Sequence, residues 1–598
     1  MAKKYIDVMD TTFRDGFQSV FGGRVLMDDF FPAVEAAKDA GITHFEFGGG
    51  ARFQSLFFYL QENAFEMMDK FREIVGPDAN LQTLARGINT VMLDTGSREL
   101  IDLHAKMFAK HGTTTIRNFD ALNDVQNLEY SAECIKKYGL NHEVVVTLMD
   151  LPPGCVGAHD VPFYEKTLRQ ILDSGLPYDS ICFKDASGTS SPQKVYETIK
   201  MARNLVGNDT HIRLHTHETA GVSIACYLAA LEAGADGIDL AASPVSGGTS
   251  QPDILTMLHA VKGKNFDLGG LEIDKMLKYE EVLNDCLKDY FMPPEATQVS
   301  PLIPFSPMPG GALTANTQMM RDNGTLDKFP EVIKAMREVV EKGGYGTSVT
   351  PVSQFYWQQA YANVMFGPWK QIAPGYGKMV LGYFGKTPVE PDAQIVALAA
   401  EKLKLEPTKE NPLDIADRDE KKKISVWKQR LEIEGIEATE ENIFIAAACD
   451  EKGIAFLKGE SPLNVRKNDS ECKQGENMAN ASGNYTVVVD GQKFNVTVAE
   501  GNADIQVTPV SSNESTSSST PVSGSNGEST EVPAAVNGVV WKILVKEGDK
   551  VEKDQQIMIL EAMKMEIDIN APVAGTITKI LVGATDAVEE GQALAIIG

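Results

Sequence analysis

Cysteine is scarce. Among 598 residues there are seven, at 134, 155, 182, 226, 286, 449 and 472, and none forms a Cys-x-x-Cys pair. An odd count without such pairs gives no disulfide framework and fits reduced thiols in a cytosol, so a cytoplasmic location is expected. Long apolar runs are missing as well. None approaches the roughly 18 residues that a membrane span needs, so none of its own is expected. The opening Met1-Ala2-Lys3-Lys4-Tyr5 carries no apolar stretch of the kind a signal peptide requires. Positive charge is in deficit: 56 Lys and Arg against 83 Asp and Glu leave −27, which argues against nucleic acid and anionic membrane surfaces as partners. Nor is there a Gly-rich nucleotide-binding run, so any ATP-driven step falls to another chain. What remains is ordinary soluble composition, 43% hydrophobic and 23% charged, in a chain long enough for several domains.

From residue 5 to about 260 a short apolar strand, a polar turn and an amphipathic helix recur. Candidate strands end at Val8, Phe47, Leu84, Arg117, Leu148, Phe183, Leu214 and Leu240, with helical stretches such as Asp28–Ala40 and Gln193–Leu205 between them. Eight such units in about 250 residues predict an α/β fold, a (β/α)8 barrel, over 1–265. Polar clusters follow every strand, which an open doubly wound sheet would not explain. Residues 266–390 are predicted to form a helical extension over the barrel mouth. Residues 391–508 read as an α/β association region, with a hairpin of Tyr485–Val489 and Lys493–Val498 around Asp490-Gly491. The Ser/Thr/Asn/Gly-rich stretch 509–530 reads as a flexible linker with a root-mean-square span of roughly 25 Å.

The last stretch, 531–598, contains an internal repeat. Val536 to Val545 recurs as Val573 to Val582, and each copy runs through a turn into an apolar strand, Ile557–Leu560 or Ala593–Ile597. Alternation broken by Gly and Asp predicts two interlocked halves of a small all-β sandwich. Between the halves lies Glu561-Ala562-Met563-Lys564-Met565. A lone lysine is usually a solvated charge. This one, flanked by methionines between two repeats, resembles the attachment signature of biotin carrier domains, which implies biotin on Lys564 and a biotin protein ligase as a partner.

At the barrel mouth, His215 and His217 alternate at a strand end, so both rings can face one side. With a carboxylate such as Asp15 they make a plausible divalent-metal site, though His-x-His is also found as two polar strand residues. Lys184 after strand six either pairs with Asp185 or Asp15 or, as a carbamate formed with CO2, joins the ligands.

Asp10 to Ser19, Leu84 to Gly87, Asn118 to Asp124, Phe183 to Gly188, His215 to Gly221, Gly248 to Pro252, Met308 to Gly311 and Val349 to Pro351 together resemble the carboxyltransferase domain of pyruvate carboxylases and of oxaloacetate decarboxylase alpha subunits. The resemblance covers residues 5 to about 385, then the association region and carrier. It implies zinc or manganese on Asp15, His215, His217 and carbamylated Lys184. It implies that Arg14, Gln18 and Arg86 position the oxo acid, and that Thr350 passes a proton between biotin and substrate. It also implies a homo-oligomer. Gly16-Phe17 and Gln354 depart from the pyruvate carboxylase pattern and put the polarity of the biotin pocket in question. The opening motif also resembles isopropylmalate synthase and hydroxymethylglutaryl lyase barrels, which have no biotin domain. Three readings share these residues. One is the carboxyltransferase-plus-carrier subunit of a two-subunit pyruvate carboxylase, partnered by a separate ATP-dependent biotin carboxylase. The others are the alpha subunit of a sodium-pumping oxaloacetate decarboxylase, with membrane decarboxylase partners, and the large subunit of a 2-oxoglutarate carboxylase. The first is favoured.

Overall fold

A computed structural model describes residues 3–468, 483–489, 492–498, 530–534, 538–562, 565–583, 586–588 and 591–598. One compact unit runs to Arg466, and a second takes up the chain from Lys467.

The first unit is built on eight parallel strands: β1 (Lys4–Asp10), β2 (His44–Gly49), β3 (Asn80–Ala85), β4 (Thr115–Asn118), β5 (Asn141–Thr147), β6 (Ser180–Asp185), β7 (His211–Thr216) and β8 (Gly237–Leu240). Each ends within two residues of the position expected from its apolar run. The order β2 to β8 then β1, with β1 also pairing β2 through Asp10 and Phe45, closes the sheet into the (β/α)8 barrel. One departure is β9 (Phe266–Leu268), which opens the stretch expected to be helical as a strand instead. It adds to β1 beyond the barrel, Lys4 opposite Phe266 to Ile6 opposite Leu268.

The helices between strands follow from local chemistry. In Pro192–Val206, Ser191 caps the start by accepting from the Lys194 amide, proline occupies the first turn and Gly207 ends it. In Met27–Asp39, Phe30, Ala33, Val34 and Ala37 form the buried stripe at helical spacing. These stripes and the outer faces of the strands make one apolar core.

A second core lies at the C-terminal ends of the strands. Leu84, Phe119, Val145, Met149, Cys182 and Ala186 from strand ends and loops pack with apolar residues of the helices Gly310–Asp322, Phe329–Lys342, Val352–Phe366 and Pro374–Val380. The extension therefore covers the mouth. Further helices, Ala393–Leu403, Pro412–Arg418, Ile424–Ile433 and Glu440–Leu457, belong to the same unit. Phe444 packs against Phe53, Phe65 and Phe108 on the flank of the barrel. The chain then crosses the rim as a strap: Gln61 donates to the Ser461 carbonyl, Asn464 N–H to the Tyr59 carbonyl at 2.7 Å, and Phe291 N–H to the Arg466 carbonyl at 3.0 Å.

In the second unit, β10 (Gly483–Val489) and β11 (Gln492–Val498) form the expected antiparallel hairpin; its turn residues Asp490 and Gly491 lie outside the described residues. The carrier strands are β12 (Thr530–Pro533), β13 (Gly538–Ile543), β14 (Lys550–Val551), β15 (Gln556–Ala562), β16 (Met565–Asn570), β17 (Gly575–Ile580), β18 (Ala587–Val588) and β19 (Ala593–Ile597). They form two four-stranded sheets, β12-β19-β17-β14 and β16-β15-β13-β18. Each sheet draws strands from both repeats, so the halves interlock. Even the irregularities recur: the pairing slips between Val540 and Lys542 in one half and between Ile577 and Lys579 in the other. Lys564 and residues 509–529 of the expected linker lie outside the described residues.

Candidate active site

The first turn after β1 is a five-residue π-helical turn, Thr12–Gly16, followed by the short helix Phe17–Phe21. Such turns recur at functional sites because they re-aim side chains within one helical repeat. Here Asp15 comes to face β7. Register does the rest: Lys184 on β6 stands directly opposite His215 on β7, and His217 follows at the strand end.

The two histidines meet with Nε2 atoms 3.0 Å apart. Asp15 Oδ2 lies 3.3 Å from one and 3.4 Å from the other. The far nitrogens are both engaged, His215 Nδ1 with Asp239 Oδ2 at 2.8 Å and His217 Nδ1 with the Thr249 carbonyl at 2.7 Å. A carbonyl can only accept, so His217 carries its proton on Nδ1; the Asp239 carboxylate draws the His215 proton to Nδ1 likewise. Two imine lone pairs and a carboxylate oxygen then converge, met by Lys184 Nζ and Gln251 Nε2, a set of acceptors that suits a bound cation. Burial, then the Lys184 charge, lowers the His215 pKa and keeps the ring neutral. For Asp15 burial acts upward, but Arg14, His217 and Lys184 outweigh it and hold the carboxylate well below its usual range. The donor set therefore fits a divalent metal.

Lys184 Nζ is 2.6 Å from His215 Nε2 and 3.8 Å from Asp15 Oδ2, and the residue is 3% exposed. Burial lowers its pKa against the pull of Asp15, with Arg14 and Arg117 repelling the ammonium. The downward shift raises the share of neutral amine, the form that reacts with CO2.

Beside these residues lies a cavity of about 350 Å³, whose lining includes Gln18, Arg24, Arg86, Thr350, Gln354 and Arg466. Arg86 is 2% exposed and donates only to carbonyls, those of Val91 at 2.6 Å and Met92 at 3.0 Å, while its Nε is unpartnered. Burial, then neighbouring Arg14, pulls its pKa down to about 9, the mark of a guanidinium lacking a counter-ion. Gln18 Oε1 accepts from the Ala51 and Arg52 amides at 3.0 and 3.2 Å, which fixes the side chain at the lining.

Arg14 does not line the cavity. Its guanidinium is buried against Glu46 Oε1 at 2.6 Å and Asp15 Oδ2 at 3.2 Å, which braces a candidate ligand, and its Nη1 stands 3.4 Å from Oε1 of the lining residue Gln18. Phe17 is fully buried between Phe13 and Phe30, ring centroids 5.8 and 5.2 Å away, and leaves the cavity lining unchanged; Gln354 does line it.

Other residues at the site went unassigned in the sequence. Gln251 Nε2 stands 3.1 Å from Asp15 Oδ2 and 3.0 Å from His217 Nε2. It falls inside the recognised stretch Gly248 to Pro252, which was the available signal. Asp239 is a charge within the apolar Gly237–Leu240 strand, and it also binds Arg117 and Arg213, both fully buried. Gly310 brings the helix Gly310–Asp322 against the site: a Cβ there would fall 1.6 Å from the Thr249 carbonyl oxygen.

Comparisons with known proteins identify relatives of the whole chain. Residues 303–507 match a model described as a conserved carboxylase domain, and residues 528–597 one described as a biotin-requiring enzyme. Over 571 residues the chain is 31% identical to the B subunit of pyruvate carboxylase from Methanocaldococcus jannaschii, covering 94% of each. It is 29% identical over 612 residues to the 2-oxoglutarate carboxylase large subunit of Hydrogenobacter thermophilus, covering 95% of this chain and 91% of that one. The carboxyl transferase domain of Rhizobium etli pyruvate carboxylase has the same fold, with a TM-score of 0.69 at 24% identity over 77% of this chain and 78% of that one. The barrel and its carrier thus define a biotin-dependent carboxyltransferase. The chain belongs to the family of pyruvate carboxylase B subunits. Among the described residues no helix is long and apolar enough to cross a membrane.

Proposed function

We propose that this chain is the carboxyltransferase and carrier subunit of a two-subunit pyruvate carboxylase, making oxaloacetate from pyruvate in the cytoplasm. Its partner is a separate ATP-dependent biotin carboxylase, and a biotin protein ligase modifies Lys564. The observation that carries this reading is Arg86, a buried guanidinium with no carboxylate partner among the described residues, lining a cavity beside a convergent Asp15, His215 and His217 set.

Asp15, His215, His217 and carbamylated Lys184 would hold zinc or manganese, which would supply positive charge for the substrate's oxo oxygen, and Lys564 would carry the biotin that supplies the carboxyl group. Arg86 grips the substrate carboxylate, a task for which its planar fork suits it better than an ammonium. Gln18, fixed by two backbone amides, orients the same group. Arg14, held by Glu46, keeps Asp15 ionised. Thr350, on the same cavity wall, passes the proton removed from the methyl carbon toward the carboxyl donor. The cationic wall stabilises the enolate where its charge develops.

A second reading, 2-oxoglutarate as the acceptor, is supported by the Hydrogenobacter relative. Reconstitution separates them. The full chain, biotinylated and mixed with a soluble biotin carboxylase, ATP and labelled bicarbonate, is expected to fix label into oxaloacetate with pyruvate present. Fixation with 2-oxoglutarate alone would change the substrate. Sodium-stimulated loss of oxaloacetate in membranes, with no ATP-dependent fixation, would reverse the direction.

A further inference from the structure

Carboxylation turns a monoanion into a dianion. A proton leaves the methyl carbon, that carbon forms a bond to the carboxyl carbon, and the bond to the donor nitrogen breaks with its electron pair and the proton passing to the donor. The carboxyl group arrives as an anion on its donor and ends as a second carboxylate on the acceptor, so the cavity must hold two carboxylates before and after the transfer.

Three guanidiniums line the cavity, those of Arg86, Arg466 and Arg24. Arg86 serves the first carboxylate in the reading above, on which this inference rests. Arg466 is already paired, its Nη2 2.6 Å from Asp322 Oδ2. Arg14, the other arginine nearby, is held by Glu46 and Asp15 away from the lining. Arg24 is the remaining cation. Its Nη1 donates to the amide oxygen of Asn464 at 3.0 Å, and its guanidinium lies over the Tyr59 ring at 3.9 Å. Among the described residues no carboxylate stands within ion-pair distance of it. Burial, chiefly, and Arg466 beside it lower its pKa against the upward pull of Tyr59 and of Asp322, the carboxylate that Arg466 already holds. Stacking on Tyr59 and the bond to Asn464 fix the plane of the fork, so little side-chain freedom is lost when an anion binds.

We infer that Arg24 is a second anion-binding position of the cavity, one that reads the carboxylate that dicarboxylic oxo acids such as oxaloacetate have and pyruvate lacks. It is a specificity residue: it favours product-like dianions and leaves the monoanion to Arg86 and Gln18.

The test compares binding of pyruvate and of freshly prepared oxaloacetate to the full, metal-loaded chain by titration calorimetry. Arg24→Gln is expected to weaken oxaloacetate at least tenfold and pyruvate less than twofold. Arg24→Lys, which keeps the charge but not the fork, is expected to recover part of the oxaloacetate affinity. Arg86→Gln is expected to weaken both ligands together. Equal losses of both ligands in Arg24→Gln would mean that Arg24 only ties down the strap at Asn464, and would overturn the inference while leaving the pyruvate reading in place. No loss of either would overturn it too. If the unaltered chain binds neither acid, the substrate reading falls and the inference with it.

Discussion

Asp239 Oδ2 accepts from His215 Nδ1 at 2.8 Å while the same carboxylate is held by Arg117 and Arg213 from β4 and β7. Burial would favour its protonation; Arg117 first among its partners, the His215 bond and Arg213 hold its pKa well below the usual carboxylate range. The ionised acid fixes the tautomer of a candidate metal ligand that it never replaces. Asp239→Asn is therefore expected to lower metal affinity by about 10–100-fold, the usual effect of losing such an outer partner. Competition with a chelating dye measures it. An unchanged affinity would deny Asp239 that role.

Gly310 admits no side chain. A Cβ there would fall 1.6 Å from the Thr249 carbonyl oxygen and 3.0 Å from His217 Nδ1. Because the Thr249 atom is backbone, the helix must retreat. Gly310→Ala is expected to cost about 1–3 kcal/mol, as overpacked substitutions do, and to reduce carboxyl transfer. Thermal unfolding and turnover both read it; wild-type values in both would show that the helix end yields freely.

Glu143 lies 2% exposed between Arg117 and Arg213. Burial raises its pKa, but Arg117 and then Arg213 lower it more, and the net shift is downward from 4.5. A depressed folded pKa contributes stability above the unfolded value, and that contribution is lost as pH falls through the folded one. Glu143→Gln should therefore cost on the order of 3–5 kcal/mol at neutral pH, the scale for breaking a buried pair. The cost should shrink as pH drops below about 4.5. Urea unfolding at pH 7 and pH 4 gives the comparison; a cost independent of pH would locate the effect in packing.

Lys564→Arg is expected to abolish streptavidin binding and carboxyl transfer while leaving metal content unchanged. Intact mass after co-expression with a biotin ligase checks it. Retained streptavidin binding would move the attachment site elsewhere.

How much of this was legible beforehand depends on sequence distance. The eight strands announced themselves because each is a short apolar run ending in a polar cluster. His215 and His217 were readable from two-residue spacing, and Asp15 and Lys184 from their places after strands. What escaped are pairings that only closure of the barrel creates. Arg14 reads as a substrate clamp, and its bond to Glu46, on the next strand, shows only in the fold. Phe17 stands out in the sequence only as a departure from the family pattern, and its packing against Phe30 and Arg52 shows only in the fold. The link from Arg24 to Asn464 spans 440 residues, and no local pattern encodes it.

The interlocked carrier has a consequence for damage. β19 lies between β12 and β17, inside one sheet, and that sheet also takes β14 from the first repeat. Neither repeat can finish a sheet alone, so the carrier forms entire or not at all. Removing the few residues of Ala593–Ile597 would leave the barrel its metal ligands and its cavity, yet leave the ligase no folded domain on which to find Lys564. A fault at the far edge of the chain would thus present as a deficiency of cofactor attachment in an otherwise well-formed enzyme.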